Sequence, residues 1–308
     1  MKRQGVSFTI AKKRNTRTVL SYHAMILVGM VWLILFNIVP MFGIVMAFQD
    51  YNPVLGFTGS KFTGLENFRY LFSMSDSRRV IVNTVIIAVS KLVLNILVPL
   101  AFALLLNEVR QLKFKRVVQT MVYLPHFLSW VILASVLLEI FGYKGVFNTV
   151  LSLFGAEPKI WFSEESYFRQ MIIFSDVWKE FGYNAVIFLA ALTGISQDMY
   201  EAASIDGCSR WKAVWYITLP GIASTIVVVA ILGLGNVLNA GFDQVFNLYS
   251  PLVYSTGDIL DTWVYRIGLL NVQFSLATAA GLFKSAISFV LIVISYIVAY
   301  KAADYKIF

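Results

Sequence analysis

The sequence predicts an all-α membrane protein with six transmembrane helices and both termini in the cytoplasm. Three observations predict this fold class. First, of 308 residues 58% are hydrophobic and only 14% are charged, and the mean hydropathy is +0.73. A soluble chain carries about 25% charged residues, so this one has too little charge to cover a surface in water. It is also too apolar to be disordered. Second, six apolar runs approach the roughly 20 residues that cross a bilayer. Third, the basic residues concentrate in alternate loops, the bias that orients membrane proteins.

The six runs are Ala24–Phe48, Val80–Leu106, Val118–Phe141, Phe168–Ile195, Leu219–Ala240 and Leu282–Ala299. The first is interrupted by Asn37 and Pro40, and the fourth by Asp176, Lys179 and Glu180. Such breaks are tolerated where neighbouring helices or waters satisfy the freed groups. Residues 1–23 form a basic cytoplasmic tail, 24–300 the membrane domain, and 301–308 a short cytoplasmic tail. The N-terminal tail, the 107–117 loop, the 196–218 loop and the C-terminal tail hold fourteen basic residues, against eight in the other loops. That asymmetry places both termini and the 196–218 loop in the cytoplasm. The first run is longer than the apolar core of a signal peptide and lacks a small-x-small cleavage site, so it reads as a retained helix. The 241–281 loop has room for a short helix near Asp258–Ile267.

Several chemistries are excluded. There is no GxxxxGK[ST] loop for a nucleotide, no HExxH and no CxxC. One cysteine and two histidines leave little for a metal site. His126, after Pro125, reads as a packing or hydrogen-bonding residue. The net charge of +8 reflects the loop bias of a membrane protein rather than nucleic-acid binding.

The informative segment is Tyr200–Gly221, YEAASIDGCSRWKAVWYITLPG. Gln197–Ile205 is a helix former, and Gly207 suits a left-handed turn at its end. Ser209 can cap a second helix, along which Trp211, Val214, Trp215 and Thr218 follow an amphipathic i, i+3, i+4, i+7 spacing. The local pattern therefore predicts a helix–turn–helix bracket at the cytoplasmic surface, of a kind that docks into a groove on a partner.

This segment resembles the EAA motif of permease subunits of ATP-binding-cassette importers: EAA, three residues, Gly, nine residues, Ile, one residue, Leu-Pro. Glu201, Ala202, Ala203, Gly207, Ile217, Leu219 and Pro220 meet every spacing. Asp206-Gly207 and the stretch from Trp178 to Ala190-Ala191-Leu192 are similar to the carbohydrate branch. Pro40 to Ile44, Ala47 to Tyr51 and Gly241-Phe242-Asp243-Gln244 resemble its oligo- and polysaccharide subgroup. The likeness runs from about residue 24 to 300. Cys208 stands where the family usually has Ala.

The resemblance implies the fold of a type I importer permease. It also implies the partners: a homologous second permease, two ATPase subunits, and an extracytoplasmic sugar-binding lipoprotein that delivers a carbohydrate. The chain would be a multi-pass protein of the bacterial cytoplasmic membrane. It would hold no cofactor and be no enzyme, ATP and magnesium binding the partner ATPase. Glu201, Ala202, Ala203, Asp206, Gly207, Ile217, Leu219 and Pro220 would couple the chain to that ATPase. Glu201 would supply a salt bridge or cap, and Gly207 the turn.

Polar residues inside spans are costly and mark cavities or partners. In the fifth span and its outer end, Asn236, Asn239, Asp243 and Asn247 fall within about 80° of one helical face, at about 100° per residue. In the fourth, Asp176, Lys179, Glu180 and Tyr183 share a face, with Trp178 beside them. One reading is a sugar path, through Asn236, Asn239, Asp243, Asn247, Trp178, Glu180 and Tyr183. The other is interhelical bonding, including a local Asp176–Lys179 pair. Lys91, on one face with Asn95, is a candidate to pair with an acidic residue of a partner permease. Gly233, Gly235, Ala277, Ala279, Ala280 and Gly281 allow close helix approach. A transporter that works without ATP is the rival class; it would have no reason to carry the bracket and would favour inverted repeats, of which there is no sign.

Overall fold

A bilayer offers no water to backbone groups, so spanning segments fold as helices that satisfy themselves. The computed structural model of the chain describes residues 16–235 and 237–303. Segments 1–15 and 304–308, and the path candidate Asn236, lie outside the described residues.

Helix α1 (Thr16–Leu33) starts ahead of the predicted boundary at Ala24 and continues through a π-turn (Ile34–Ile38) to a 3-10 stretch (Phe42–Phe48). Pro40 cannot donate to the carbonyl four residues back, and the helix widens there instead of stopping. A two-residue hairpin follows, β1 (Gln49–Asp50) antiparallel to β2 (Lys61–Phe62), and then α2 (Glu66–Ser73). Helix α3 (Ser75–Asn107) is 33 residues long and passes Pro99 without a break.

The third predicted span is not one helix. Helix α4 (Leu112–Tyr123), extended by the turn Leu124–Phe127, meets α5 (Trp130–Ile140) at 103°. Pro125 ends the first leg, and the Ser129 hydroxyl starts the second by accepting from the Ile132 amide at 3.4 Å. A short α6 (Val146–Ser152) then leads to α7 (Glu165–Thr193), a straight run of 29 residues through Asp176, Lys179 and Glu180.

Helices α8 (Gln197–Ile205) and α9 (Arg210–Ala213) form the predicted bracket. A π-turn (Val214–Thr218) and the turn Leu219–Gly221 carry the chain into α10 (Ala223–Gly235) through a 61° bend. The fifth predicted span extended to Ala240, but the helix stops at Gly235. Gly241, at φ +93°, reverses the chain into α11 (Phe242–Leu248). The 241–281 loop holds the expected helix, α12 (Leu260–Tyr265), and α13 (Phe274–Ala303) begins ahead of the predicted Leu282.

Among the described residues three helices, Leu20–Phe48, Ser75–Asn107 and Phe274–Val298, are long and apolar enough to cross a membrane, or up to five if each bent pair is one span. Helix α7 has the length, but three charges interrupt its middle. It lies at the centre of the fold, along α3, and touches α4, α10 and α11. Gly182 permits the closest of these approaches: a Cβ there would fall 2.1 Å from the Val122 carbonyl oxygen. Gly233 likewise brings α10 against Leu92 of α3, whereas Gly235 and Gly281 have room to spare. One core joins α3, α5, α7 and α11 through Ile87, Leu133, Phe168, Ile172 and Val245. Another, near the bracket, joins Ala103, Ala185, Phe188, Leu192 and Ile222.

Replacing Gly182 by Val should destabilise the protein by at least about 1–3 kcal/mol, the cost of overpacking. Thermal unfolding in detergent should show a clear fall in Tm; an unchanged Tm would mean that α4 does not rest on α7 there.

Candidate functional site: the bracket and the polar centre of the membrane helices

Only Gly194–Ser196 separates the first arm of the bracket from α7. The Ser196 hydroxyl opens α8 by accepting from the Asp198 amide at 3.3 Å. Asp206 ends it, and Gly207 turns at φ +73°, a conformation that costs other residues about 1–2 kcal/mol. The Ser209 hydroxyl accepts from the Lys212 amide at 3.4 Å and starts α9. Thr218, buried, donates to the Ala213 carbonyl at 3.3 Å and accepts from the Tyr200 hydroxyl at 2.9 Å, which ties the two arms together. Behind the arms is a cavity of about 450 Å³ lined by Arg110, Tyr200, Ser204 and Arg210 among others. Glu108, at the end of α3, reaches Arg210 at 3.6 Å.

Glu201, Ala202, Asp206, Gly207 and Pro220 are exposed; Ala203, Ile217 and Leu219 are half-buried. Among the described residues Glu201 has no ion-pair partner. Ile205 at the tip is 87% exposed, an apolar knob with nothing against it. The predicted amphipathic face divides: Val214 and Thr218 turn inward while Trp211 and Trp215 are exposed. The π-turn adds a residue to the helical turn and shifts the phase that the sequence spacing assumed.

Among the described residues, the polar side chains of α7 form two clusters. In the first, Lys91 of α3 pairs with Asp176 at 3.2 Å, and Asn95 donates to Asp176 at 2.9 Å. Lys91 also donates to the Ala240 carbonyl at 2.8 Å and to the Gln244 side-chain oxygen. Gln244, fully buried, donates to the Ile172 carbonyl at 2.8 Å and to the Ser175 hydroxyl at 2.9 Å. In the second, Lys179 bonds Glu180 and the His126 carbonyl, each at 2.8 Å. The His126 ring bonds Glu180 at 2.7 Å and stacks on Tyr183 with centroids 3.9 Å apart.

Two expectations are corrected. Asp176 and Lys179 do not pair with each other, because each has a better-placed partner on another element. Lys91 finds its carboxylate within this chain rather than on a partner permease. His126 packs and bonds as expected.

Of the path candidates of the fifth span, Asn239, Asp243 and Asn247 do not share one helix: Asn239 lies in the non-helical connection before α11, and Asp243 and Asn247 lie on α11. Asn239 accepts from Lys284 at 2.9 Å, and Lys284 also binds Asp261 at 2.6 Å. Asp243 is exposed, and Asn247 donates to the Asp243 carbonyl at 2.7 Å within its own helix. On α7, Trp178 is 48% exposed and borders an apolar cavity of about 370 Å³ with Leu133, Phe141 and Phe162. Tyr183 and Glu180 belong to the His126 cluster. Gln244 is the residue that reading of the sequence missed as a contact; its signal was the glycine three positions before it. No group of three or more metal-ligating side chains occurs among the described residues.

Residues 95–304 match the family described as "Binding-protein-dependent transport system inner membrane component". The chain belongs to this family. The polygalacturonan/rhamnogalacturonan transport system permease protein YteP of Bacillus subtilis (strain 168) is 42% identical over 289 residues, 93% of this chain and 89% of that one. A crystal structure of a bacterial transporter for import of the acidic polysaccharide alginate is 34% identical, with a TM-score of 0.85 over 93% of this chain and 97% of that one. A second, of the alginate transporter in complex with an alginate pentasaccharide-bound periplasmic protein, has a TM-score of 0.84 at 34% identity, over 93% and 96%. The family and these likenesses carry the type I importer permease fold that the bracket motif implied.

Removing the tie between the bracket arms should cost about 1 kcal/mol. Tyr200→Phe and Thr218→Val should lower the Tm, and the double variant should add little beyond the larger single effect. Full additivity would mean that the two hydroxyls act independently.

Proposed function

We propose that this chain is one of two permease subunits of an ATP-driven importer that moves oligosaccharides, or sugars derived from polysaccharides, across the bacterial cytoplasmic membrane. The observation that carries this reading is the bracket. Its two short helices are separately capped and tied together. They hang from one end of α7 and present an unpartnered Glu201 and an exposed Ile205. An acidic group beside an apolar knob suits a groove on a partner that supplies a cation and an apolar floor.

In this reading the three apolar helices, the two bent pairs and α7 make six crossings. The loop bias puts the bracket and both termini in the cytoplasm. The bracket then meets an ATPase whose closure on ATP pushes it. Hydrolysis, with ATP and magnesium, belongs to that partner, and this chain holds no cofactor. A homologous permease completes the passage. A sugar-binding protein delivers substrate from outside, as a periplasmic protein does for the alginate transporter. The names of these two relatives support fragments of acidic polysaccharides as the substrate class. Asn236, Asn239, Asp243, Asn247 and Trp178 remain candidates for the passage wall. Glu180 and Tyr183 serve first to hold His126.

The test is affinity purification from native membranes in mild detergent, with the co-purifying chains identified by mass. A second permease and a chain with a Walker A lysine are expected; a lone chain that transports without ATP would overturn the reading. In the assembled complex, Glu201→Lys and Gly207→Pro should abolish uptake of galacturonan oligosaccharides while the protein stays in the membrane. Proline cannot adopt the positive φ of position 207. Unchanged uptake in both variants would remove the coupling role.

A further inference from the structure

Two helices stop within the apolar part of the chain, and each leaves backbone carbonyls without a helical partner. One break lies at Leu124–Ser129, between α4 and α5; the other lies between Gly235 and Phe242, before α11. At each, a lysine from a neighbouring helix donates to an open carbonyl: Lys179 to His126 at 2.8 Å, and Lys91 to Ala240 at 2.8 Å. Each lysine is balanced by a carboxylate of α7, Glu180 and Asp176 respectively. The legs beyond the breaks, α5 and α11, pack on one another.

We propose that Lys91 and Lys179 are positioning residues that lock both helix breaks onto α7, so that α7 carries movement of the bracket directly to α5 and α11. The proposal rests on the importer reading above.

Three observations support it. The first is donor saturation. An ammonium has three donors, and those of Lys91 go to Asp176, Ala240 and Gln244. Lys179 spends two on Glu180 and His126 and faces the Trp130 ring at 5.5 Å. Lys91 has no donor to spare for a passing substrate, and Lys179 has two of its three engaged beside the Trp130 ring, so both hold structure. The second is that the locks are reinforced. Gln244 of α11 is bonded twice to α7, at Ile172 and Ser175. Gly241 leaves room for the lysine: a Cβ there would stand 2.9 Å from the Lys91 nitrogen. The third is continuity. Helix α7 spans about 43 Å at 1.5 Å per residue, and only Gly194–Ser196 separates it from the bracket.

The test compares the complex, reconstituted with its partners in vesicles, carrying Asp176→Asn or Lys91→Met/Asp176→Asn. The double variant has no unbalanced charge and retains an amide for Asn95, but nothing caps Ala240. If the ion pair alone mattered, the double variant would recover toward the parent. The lock predicts the reverse order. Uptake of galacturonan oligosaccharides per ATP should fall about tenfold in the double variant, the effect of one lost buried hydrogen bond on an equilibrium, and less in Asp176→Asn.

A separate series, without uptake measurements, carries Cys208→Ala and Asn239→Cys. Its cysteine should react faster with a membrane-impermeant maleimide when Lys91 is Met. Lys179→Met/Glu180→Gln provides the same uptake test at the other break should the first double variant not reach the membrane. Parent-like uptake per ATP together with parent-like labelling overturns the proposal. If the parent complex shows no ATP-driven uptake, the importer reading falls, and the labelling comparison then decides the lock.

Discussion

The structure depends on how a helix can stop inside a membrane. Every carbonyl released at a break must find a donor, because neither lipid nor a neighbouring apolar side chain supplies one. Here the donors are two lysine ammoniums, reaching from α3 and α7 to the carbonyls of Ala240 and His126. Each brings a charge into a setting that penalises it, which is why Asp176 and Glu180 stand beside them. The charges of α7, its least membrane-like feature, thus accompany both capped carbonyls, His126 at the bend between α4 and α5 and Ala240 ahead of α11.

From that constraint the rest of the arrangement follows. Because the breaks are closed by α7, α7 has to be central, and glycine at position 182 lets α4 come close enough. Because α5 is turned away from α4, it can pack on α11 together with Ile172, Phe168 and Ile87 in one core. At the other end, the same helix ends in the bracket. Apolar packing of Phe188, Leu192 and Ile222 there joins the base of the bracket to the body of the fold.

The bracket was legible in the sequence because its signals are local: Ser196 and Ser209 as caps, Gly207 as a turn, and the fixed spacing from Glu201 to Pro220. The apolar spans were legible by composition. The breaks were not. Val118–Phe141 and Leu219–Ala240 read as continuous because hydropathy averages over a window and is blind to a single Pro125 in the first and to the turn after Gly235 in the second. The polar stripe of the fifth span assumed one uninterrupted helix, but Asn239 lies in a non-helical connection and Asp243 and Asn247 lie on α11, so these three have no common helical face. The Lys91–Asp176 pair spans 85 positions of sequence, and periodicity along one helix says nothing about such a partner. The phase of Trp211 and Trp215 shifted for a smaller reason, the extra residue of the π-turn at Val214–Thr218.

The most direct test of this account is an electron cryomicroscopy structure of the assembled complex trapped with a non-hydrolysable ATP analogue, set beside its nucleotide-free form. The account predicts that α7, α5 and α11 move as one body with the bracket, and that Lys91 and Lys179 remain on the carbonyls of Ala240 and His126 in both states. A structure in which the bracket moves while either lysine leaves its carbonyl, with α5 or α11 shifting independently of α7, would contradict it.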